Sequence, residues 1–243
     1  MIHTFPDLQE PVGMTHLLSP EDWATLSETC LEIRSIPRGK VISARGDMLN
    51  ESILILGGMI GRYIPAGEGA GQLVAVEVPG DFADLHAFPL KQLDHNVTAL
   101  TDVRAAIFPH ADLSDLIARH PGLARQLWAL TLVDASIHRH WAFRNGAKRS
   151  FARLADLLCE LDTRLQFAGT KPGPRGLAIP LTQIDLANAC GMSAVHINRV
   201  LRDLREDGCC TYAGGYLDIH DRRRLYQIAQ FDPGYLYLPE QRA

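Results

Sequence analysis

The stretch Leu181-Thr-Gln-Ile-Asp-Leu-Ala-Asn-Ala-Cys-Gly-Met-Ser-Ala-Val-His-Ile-Asn-Arg-Val-Leu-Arg-Asp-Leu-Arg205 reads as two short helices hinged at a glycine. Thr182 precedes Asp185 by three residues and Ser193 precedes His196 by three, so each predicted helix starts with a hydroxyl placed to cap it. Gly191 falls where the chain must turn, and glycine takes the left-handed conformation at little cost. On the second helix Ile197, Leu201 and Leu204 share one face at helical spacing. Val195, Arg199 and Arg202 then point the opposite way, with His196 and Asn198 on the flanks. Such a face suits base reading in a DNA groove: arginine donates twice to guanine, asparagine pairs with adenine, and an apolar side chain touches a thymine methyl. Thr182, Gln183, Ser193 and the amides at the helix starts are candidates for phosphate contacts. The bland alternative is a helical hairpin with solvated arginines.

The following residues favour the DNA reading. Cys209-Cys-Thr-Tyr-Ala-Gly-Gly-Tyr-Leu-Asp-Ile219 alternates around Gly214-Gly215, the signal of a β-hairpin, here a wing whose Gly215 can approach a phosphate. The capped helix, the Gly-Met-Ser turn, Asn198-Arg-Val-Leu-Arg-Asp-Leu-Arg-Glu-Asp-Gly208 and the glycine-tipped wing resemble the C-terminal domain of the cyclic-AMP receptor/fumarate-nitrate reductase (CRP/FNR) regulator family. Upstream, Pro37-Arg-Gly-Lys40, Arg45-Gly-Asp47, Gly57-Gly58 and Pro79-Gly-Asp-Phe82 punctuate short apolar runs, the pattern of an all-β sandwich or barrel. In the family this region resembles a jelly-roll sensor domain. The expected class is α+β: a sensor domain with an N-terminal helical segment over residues 1–110, a dimerisation helix and linker over 111–147, and a winged helix-turn-helix over 148–243.

In the helix expected from about 122 to 144, Leu123, Leu127, Leu130, Asp134, Ile137 and Trp141 recur at alternating spacings of four and three. This is a heptad seam with one polar position. It reads as a two-fold dimer interface, as the resemblance also implies; the alternative is a helix packed only on its own domain. A dimer would set two recognition helices about one DNA turn apart on a near-palindromic site. The net charge of −4 divides unevenly: residues 1–148 carry 12 basic and 17 acidic side chains, residues 149–243 carry 12 and 11. Local clustering of Arg199, Arg202 and Arg205 compensates for the absence of a global excess. Arg222-Arg-Arg224 reads first as a solvated helix start.

The helix expected over 151–165 shows a leucine stripe typical of a core, in which Cys159 is a small buried hydrophobe. The loop Phe167-Ala-Gly-Thr-Lys-Pro-Gly-Pro-Arg-Gly176 follows. In the cyclic-AMP receptor the comparable loop touches RNA polymerase, which makes Lys171 and Arg175 candidates for that contact; a plain connector is the simpler reading.

The sensor departs from its relatives. Where cyclic-AMP binders hold the ribose with a carboxylate and the phosphate with an arginine-serine pair, Asp84 can supply the first, but the later positions read Leu93-Asp-His-Asn-Val97 without arginine. Asp94 there would repel a phosphate, so no tight cyclic-AMP binding is expected and the effector is unknown. The candidate pocket is Asp84, His86, Asp94 and His95. An iron-sulfur cluster needs four cysteine thiolates. Cys30, Cys159, Cys190, Cys209 and Cys210 are scattered and the N-terminal arm has none, so neither a cluster nor a disulfide framework is expected. His86 and His95 are the residues a haem sensor would use, a reading ranked behind ordinary hydrogen-bonded histidines. No cofactor is therefore predicted, and the thiols read first as inert.

The competing class is a jelly-roll ligand-binding subunit or a small-molecule enzyme that never meets DNA. The pair His86 and His95, with no third convincing ligand nearby in sequence, is too sparse for a metal enzyme, and no nucleophile elbow or phosphate loop occurs. No apolar run is long enough for a bilayer helix, and Met1-Ile-His-Thr-Phe-Pro6 lacks the basic and apolar regions of a secretory signal, so a cytoplasmic location is expected. Relatives place a glutamate one turn before the arginine on the base-reading face, where this chain has Val195. The expected half-site differs from theirs while keeping a guanine opposite Arg199.

Overall fold

The computed structural model describes residues 5–65 and 71–238. Two compact units emerge, one built from residues up to 71 and 76–135, the other around Ser136–Leu238. The first opens with two 3₁₀ turns, Pro6–Leu8 and Gly13–Leu17, and helix α1 (Pro20–Ser27), which Pro20 and the Ser19 cap start. Strands β1 (Glu32–Ile36), β2 (Val41–Ser43), β3 (Glu51–Gly57), β4 (Ile60–Ile64) and β5 (Gln72–Glu77) follow, then a short helix α2 (Ala87–Leu90), β6 (Asn96–Ala99), β7 (Val103–Pro109) and α3 (His110–Arg119).

These strands form two sheets, in the orders β1-β7-β3 and β2-β6-β4-β5. Antiparallel pairing sets Ile53 opposite Ile107 and Ile55 opposite Ala105. That face joins Ile36, Ile60, Leu93, Val97, Ala99 and Val103 in one apolar core between the sheets. The other face of β3 and β7 is buried as well, at Ser52, Leu54, Ala106 and Phe108. Burial on both faces explains why Ile53–Leu56 reads as a continuous apolar run rather than an alternating one.

Helix α4 (Pro121–Ala147) runs through the division between the units and is longer than the 122–144 expected. Its apolar positions correct the predicted seam. Leu123, Leu127, Leu130, Ile137 and Trp141 are all buried within the chain, and the Asp134 carboxylate takes a hydrogen bond from Arg62. That stripe is covered by its own chain, which leaves it little surface to offer a partner. On another face Trp128 and Leu132, four residues apart, are 64% and 51% exposed.

The second unit continues with α5 (Ser150–Phe167), β8 (Leu177–Ala178), α6 (Gln183–Ala189), α7 (Ala194–Asp207), β9 (Cys210–Ala213), β10 (Tyr216–Ile219), α8 (Arg222–Ala229) and a 3₁₀ turn Pro233–Leu236. Its small sheet has the order β8-β10-β9. Gly214 and Gly215 both take positive φ at the β9–β10 turn, as a two-residue hairpin of this hand requires.

Beside its leucines, α5 buries Asp156, Glu160 and Arg164 against Arg144 and Lys148. Arg144 Nε donates to Asp156 (2.8 Å) and its Nη2 to Glu160. Arg164 pairs with Glu160 (3.1 Å), and Lys148 pairs with Asp156 (3.2 Å) while donating to the Ala229 carbonyl at the end of α8 (2.7 Å). Trp141 Nε1 and the Tyr235 hydroxyl complete the shell around Glu160, and Tyr235 stacks flat on His140 at 3.7 Å. Burial disfavours every one of these charges; Asp156 and Glu160 nonetheless sit below the usual carboxylate range because His140, Arg144 and Arg164 face them. Among the described residues no helix is long and apolar enough to cross a membrane.

Candidate DNA interface

The two helices of the quoted stretch begin where their caps predict. Thr182 Oγ1 accepts from the Asp185 N–H (3.1 Å) while the Asp185 carboxylate accepts from the Thr182 N–H (2.7 Å), a reciprocal capping box. The Thr182 hydroxyl proton also goes to Asp185 (2.7 Å), so Thr182 is occupied by the cap, and a phosphate there would face a carboxylate. Of the predicted phosphate contacts, Gln183 and Ser193 remain exposed. Ser193 Oγ accepts from the His196 N–H (3.2 Å), which leaves its own O–H to donate. Gly191 turns the chain with φ +59° and the Met192 N–H returns to the Ala187 carbonyl (2.8 Å). An added Cβ would meet only Arg153 at 3.9 Å, so backbone conformation, not space, asks for glycine.

Helix α7 separates its faces as the spacing requires. Ile197, Val200, Leu201 and Leu204 are buried, whereas Val195, His196, Asn198, Arg199 and Arg202 are exposed, Val195 by 73%. An exposed valine at the start of a helix whose other large apolar residues are inside is a side chain offered to something. Asn198 Nδ2 already donates to the Ala194 carbonyl (2.9 Å), and Arg202 lies 3.8 Å from Glu206 across solvent, a pair of little weight. Arg199 carries neither tie, which leaves its five donors open. The other arginine run is tied down rather than simply solvated: Arg222 pairs with buried Asp162, and Arg224 holds Asp207 at 2.8 Å. The wing is fixed behind Gly215, whose carbonyl accepts from the Ile179 N–H (2.8 Å), and Tyr212 donates to the Ile179 and Leu181 carbonyls.

In the first unit the predicted pocket comes together only in part. His86 and His95 rings lie 5.4 Å apart, and Asp94 holds His95 Nδ1 at 2.7 Å. Asp84 is turned inward and accepts the Ile53 N–H (2.7 Å), so it serves the β3 backbone and cannot hold a ribose. Burial pushes the Asp84 carboxyl up to about 7 and His86 down to about 4, both toward their neutral forms.

A residue the sequence reading missed sits here. Arg62 of β4 is buried, donates to the Phe82 and Ala83 carbonyls (3.2 and 3.1 Å), and is neutralised by Glu77 (3.1 Å) and Asp134 (2.9 Å). The family's cyclic-nucleotide ligand does not fit this set: the buried guanidinium already faces two carboxylates, and Asp84 is engaged. All five cysteines are buried, and burial raises each thiol, Cys190 up to about 12, which opposes thiolate formation.

Comparison with known proteins agrees with both halves. A family model described as the Crp-like helix-turn-helix domain matches residues 152–228, and one described as the cyclic nucleotide-binding domain matches residues 33–120. The transcriptional activator protein FnrL of Cereibacter sphaeroides is 25% identical over 217 residues, 87% of this chain and 86% of that protein. The fumarate and nitrate reduction regulatory protein of Vibrio cholerae is 25% identical over 196 residues, 81% and 78% of the two chains. Among solved structures, FixK2 from Bradyrhizobium japonicum superposes with a TM-score of 0.71 at 21% identity over 81% of this chain and 96% of that one, a likeness of fold. Two matched domains in this order, a cyclic nucleotide-binding domain followed by a Crp-like helix-turn-helix, place the chain in the CRP/FNR family of DNA-binding transcription regulators.

Proposed function

We propose that the protein binds a near-palindromic DNA site as a homodimer, with Arg199 on a guanine, Val195 against a thymine methyl, Asn198, His196 and Arg202 on neighbouring bases, and Gln183, Ser193 and Gly215 on phosphates. The observation that carries this is α7 itself, whose buried and exposed residues divide so that the open guanidinium of Arg199 and the bare methyls of Val195 face outward together. The dimer contact is the α4 face bearing Trp128 and Leu132, which replaces the seam that the chain buries in itself. RNA polymerase is the proposed protein partner and a small molecule other than cyclic AMP the effector.

Selection of sites from a random DNA pool tests the whole reading, performed with and without a cell-metabolite extract and with light scattering of the same sample. The expected result is a two-fold symmetric consensus bound by a dimer that Trp128→Glu converts to monomer. Recovery of sequences without symmetry, or a wild-type monomer at micromolar concentration, would refute it. Calorimetry giving a micromolar dissociation constant for cyclic AMP would refute the effector statement separately.

A further inference from the structure

Outside α7, Arg175 of the second unit is exposed and forms no ion pair among the described residues. Arg175, in the loop ahead of β8, lays its guanidinium over the ring of Tyr216 at 3.8 Å from the centroid. Tyr216 is the first residue of β10, directly after the Gly214-Gly215 wing turn. Two features hold the loop in place. Gly173 and Gly176 exchange backbone hydrogen bonds (3.0 Å each), and β8 continues from Gly176 into register with β10, Leu177 opposite Leu217. Gly176 approaches β10 so closely that a Cβ would lie 2.2 Å from the Leu217 carbonyl oxygen, so the loop is seated by contact rather than left loose.

The surroundings say what such a cation is for. Arg222 and Arg224 are committed to Asp162 and Asp207, and Arg202 leans on Glu206. Arg175 is exposed and rests on an aromatic face, which holds the guanidinium in place by cation–π attraction to the ring. A guanidinium oriented by stacking with its donors free is the arrangement that recognises a phosphate oxygen. It stands at the edge of the wing sheet, and β9 of that sheet packs on α7. Docking α7 in a major groove about 12 Å wide brings the neighbouring sheet up to the flanking strand.

We propose that Arg175, held over the Tyr216 ring, contacts a DNA backbone phosphate flanking the half-site that α7 reads. This rests on the DNA-reading assignment above and gives the loop a role distinct from a polymerase contact. The contact strengthens binding without selecting sequence.

The test measures affinity of wild type, Arg175→Ala, Arg175→Lys and Tyr216→Leu for the selected palindrome and for a random duplex across a salt series. Each phosphate contact contributes about 0.9 to the slope of log affinity against log salt, so Arg175→Ala should lower the dimer slope by about 1.8. It should weaken both duplexes by the same factor. Arg175→Lys retains the slope, and Tyr216→Leu, which keeps the charge but removes its support, weakens binding less than Arg175→Ala. An unchanged slope in Arg175→Ala overturns the proposal, as does intact DNA binding with activation lost in a purified transcription reaction, which would move Arg175 to the polymerase. The random duplex carries the same phosphates, so absence of any preferred sequence for wild type would sink base reading by α7 and still leave the slope to judge Arg175.

Discussion

Helix α7 and the segment from Phe82 to His95 carry comparable numbers of polar candidates, yet the chain uses them in opposite directions. On α7 the polar side chains point out and the large apolar ones other than Val195 point in, so Arg199 and Val195 are free to meet a partner. In the first unit Asp84 turns inward to Ile53, and the guanidinium that reaches this segment, Arg62, is closed off by Glu77 and Asp134. The difference teaches that a regulator of this fold can keep its output surface open while its sensor cassette is satisfied from within. Outward polar groups then govern affinity, and inward ones govern stability.

The largest expected effect lies where the inward use is most complete, in the ion layer of the second unit. Arg144→Met leaves Asp156 and Glu160 buried with fewer cations, and removing one partner of a buried pair costs roughly 3–5 kcal/mol. Urea denaturation followed by circular dichroism should show that loss. Adding Glu160→Met should recover part of it, since an apolar pair of similar volume is often neutral. A loss under about 1 kcal/mol, the range of exposed ion pairs, would break the comparison by showing that the layer behaves as a surface cluster.

A smaller effect distinguishes the buried carboxyl of the first unit. Asp84 keeps its proton up to about pH 7 in the native chain, whereas an unfolded aspartate loses it near pH 4. Between those values the unfolded state holds fewer protons than the native one, so this residue's contribution to stability falls as pH rises and is flat above about 7. Asp84→Asn carries no proton, and its stability relative to wild type should therefore grow from pH 4 to pH 7, by about 2 kcal/mol or less given local relaxation. His86, held near 4 by burial and by Arg62, acts in the reverse sense, losing stability as pH falls from about 6.5. A difference between Asp84→Asn and wild type that is flat with pH would mean that Asp84 is ionised and open, which would revive it as a ligand group.

The second unit was the more legible in sequence because its signals are local. A cap and its partner lie three residues apart, the helical period sorts α7 into two faces, and paired glycines announce the wing. What the sequence hid depends on distance. Arg62 sits in an unremarkable strand, and its partner Asp134 is 72 residues away. The stripe at Leu123, Leu127 and Leu130 has the same spacing as Trp128 and Leu132. Periodicity shows that a helix has an apolar face; it does not say whether its own chain or a second copy covers that face. Asp156, Glu160 and Arg164 fall four apart, the spacing of a solvated ion ladder, and only the arrival of Arg144 from α4 and Lys148 just after it makes that face an interior.

The finest test of the open surface is at Val195. Arg199→Ala should cost about 1–3 kcal/mol on the selected site and relax preference at one base pair, while Gln183→Ala, at a proposed phosphate contact, should weaken all sequences evenly and by less. Val195→Glu goes further, because it restores the carboxylate that relatives carry one turn before the arginine. A glutamate there accepts from the amino group of cytosine and repels the O4 of thymine, so the consensus should shift at that one position toward cytosine and the original site should weaken about tenfold or more. The rest of the half-site, including the guanine opposite Arg199, should not move. If the consensus of Val195→Glu equals that of wild type, Val195 does not face a base, and the outward side of α7 is read by Arg199 and its neighbours from a different docking angle.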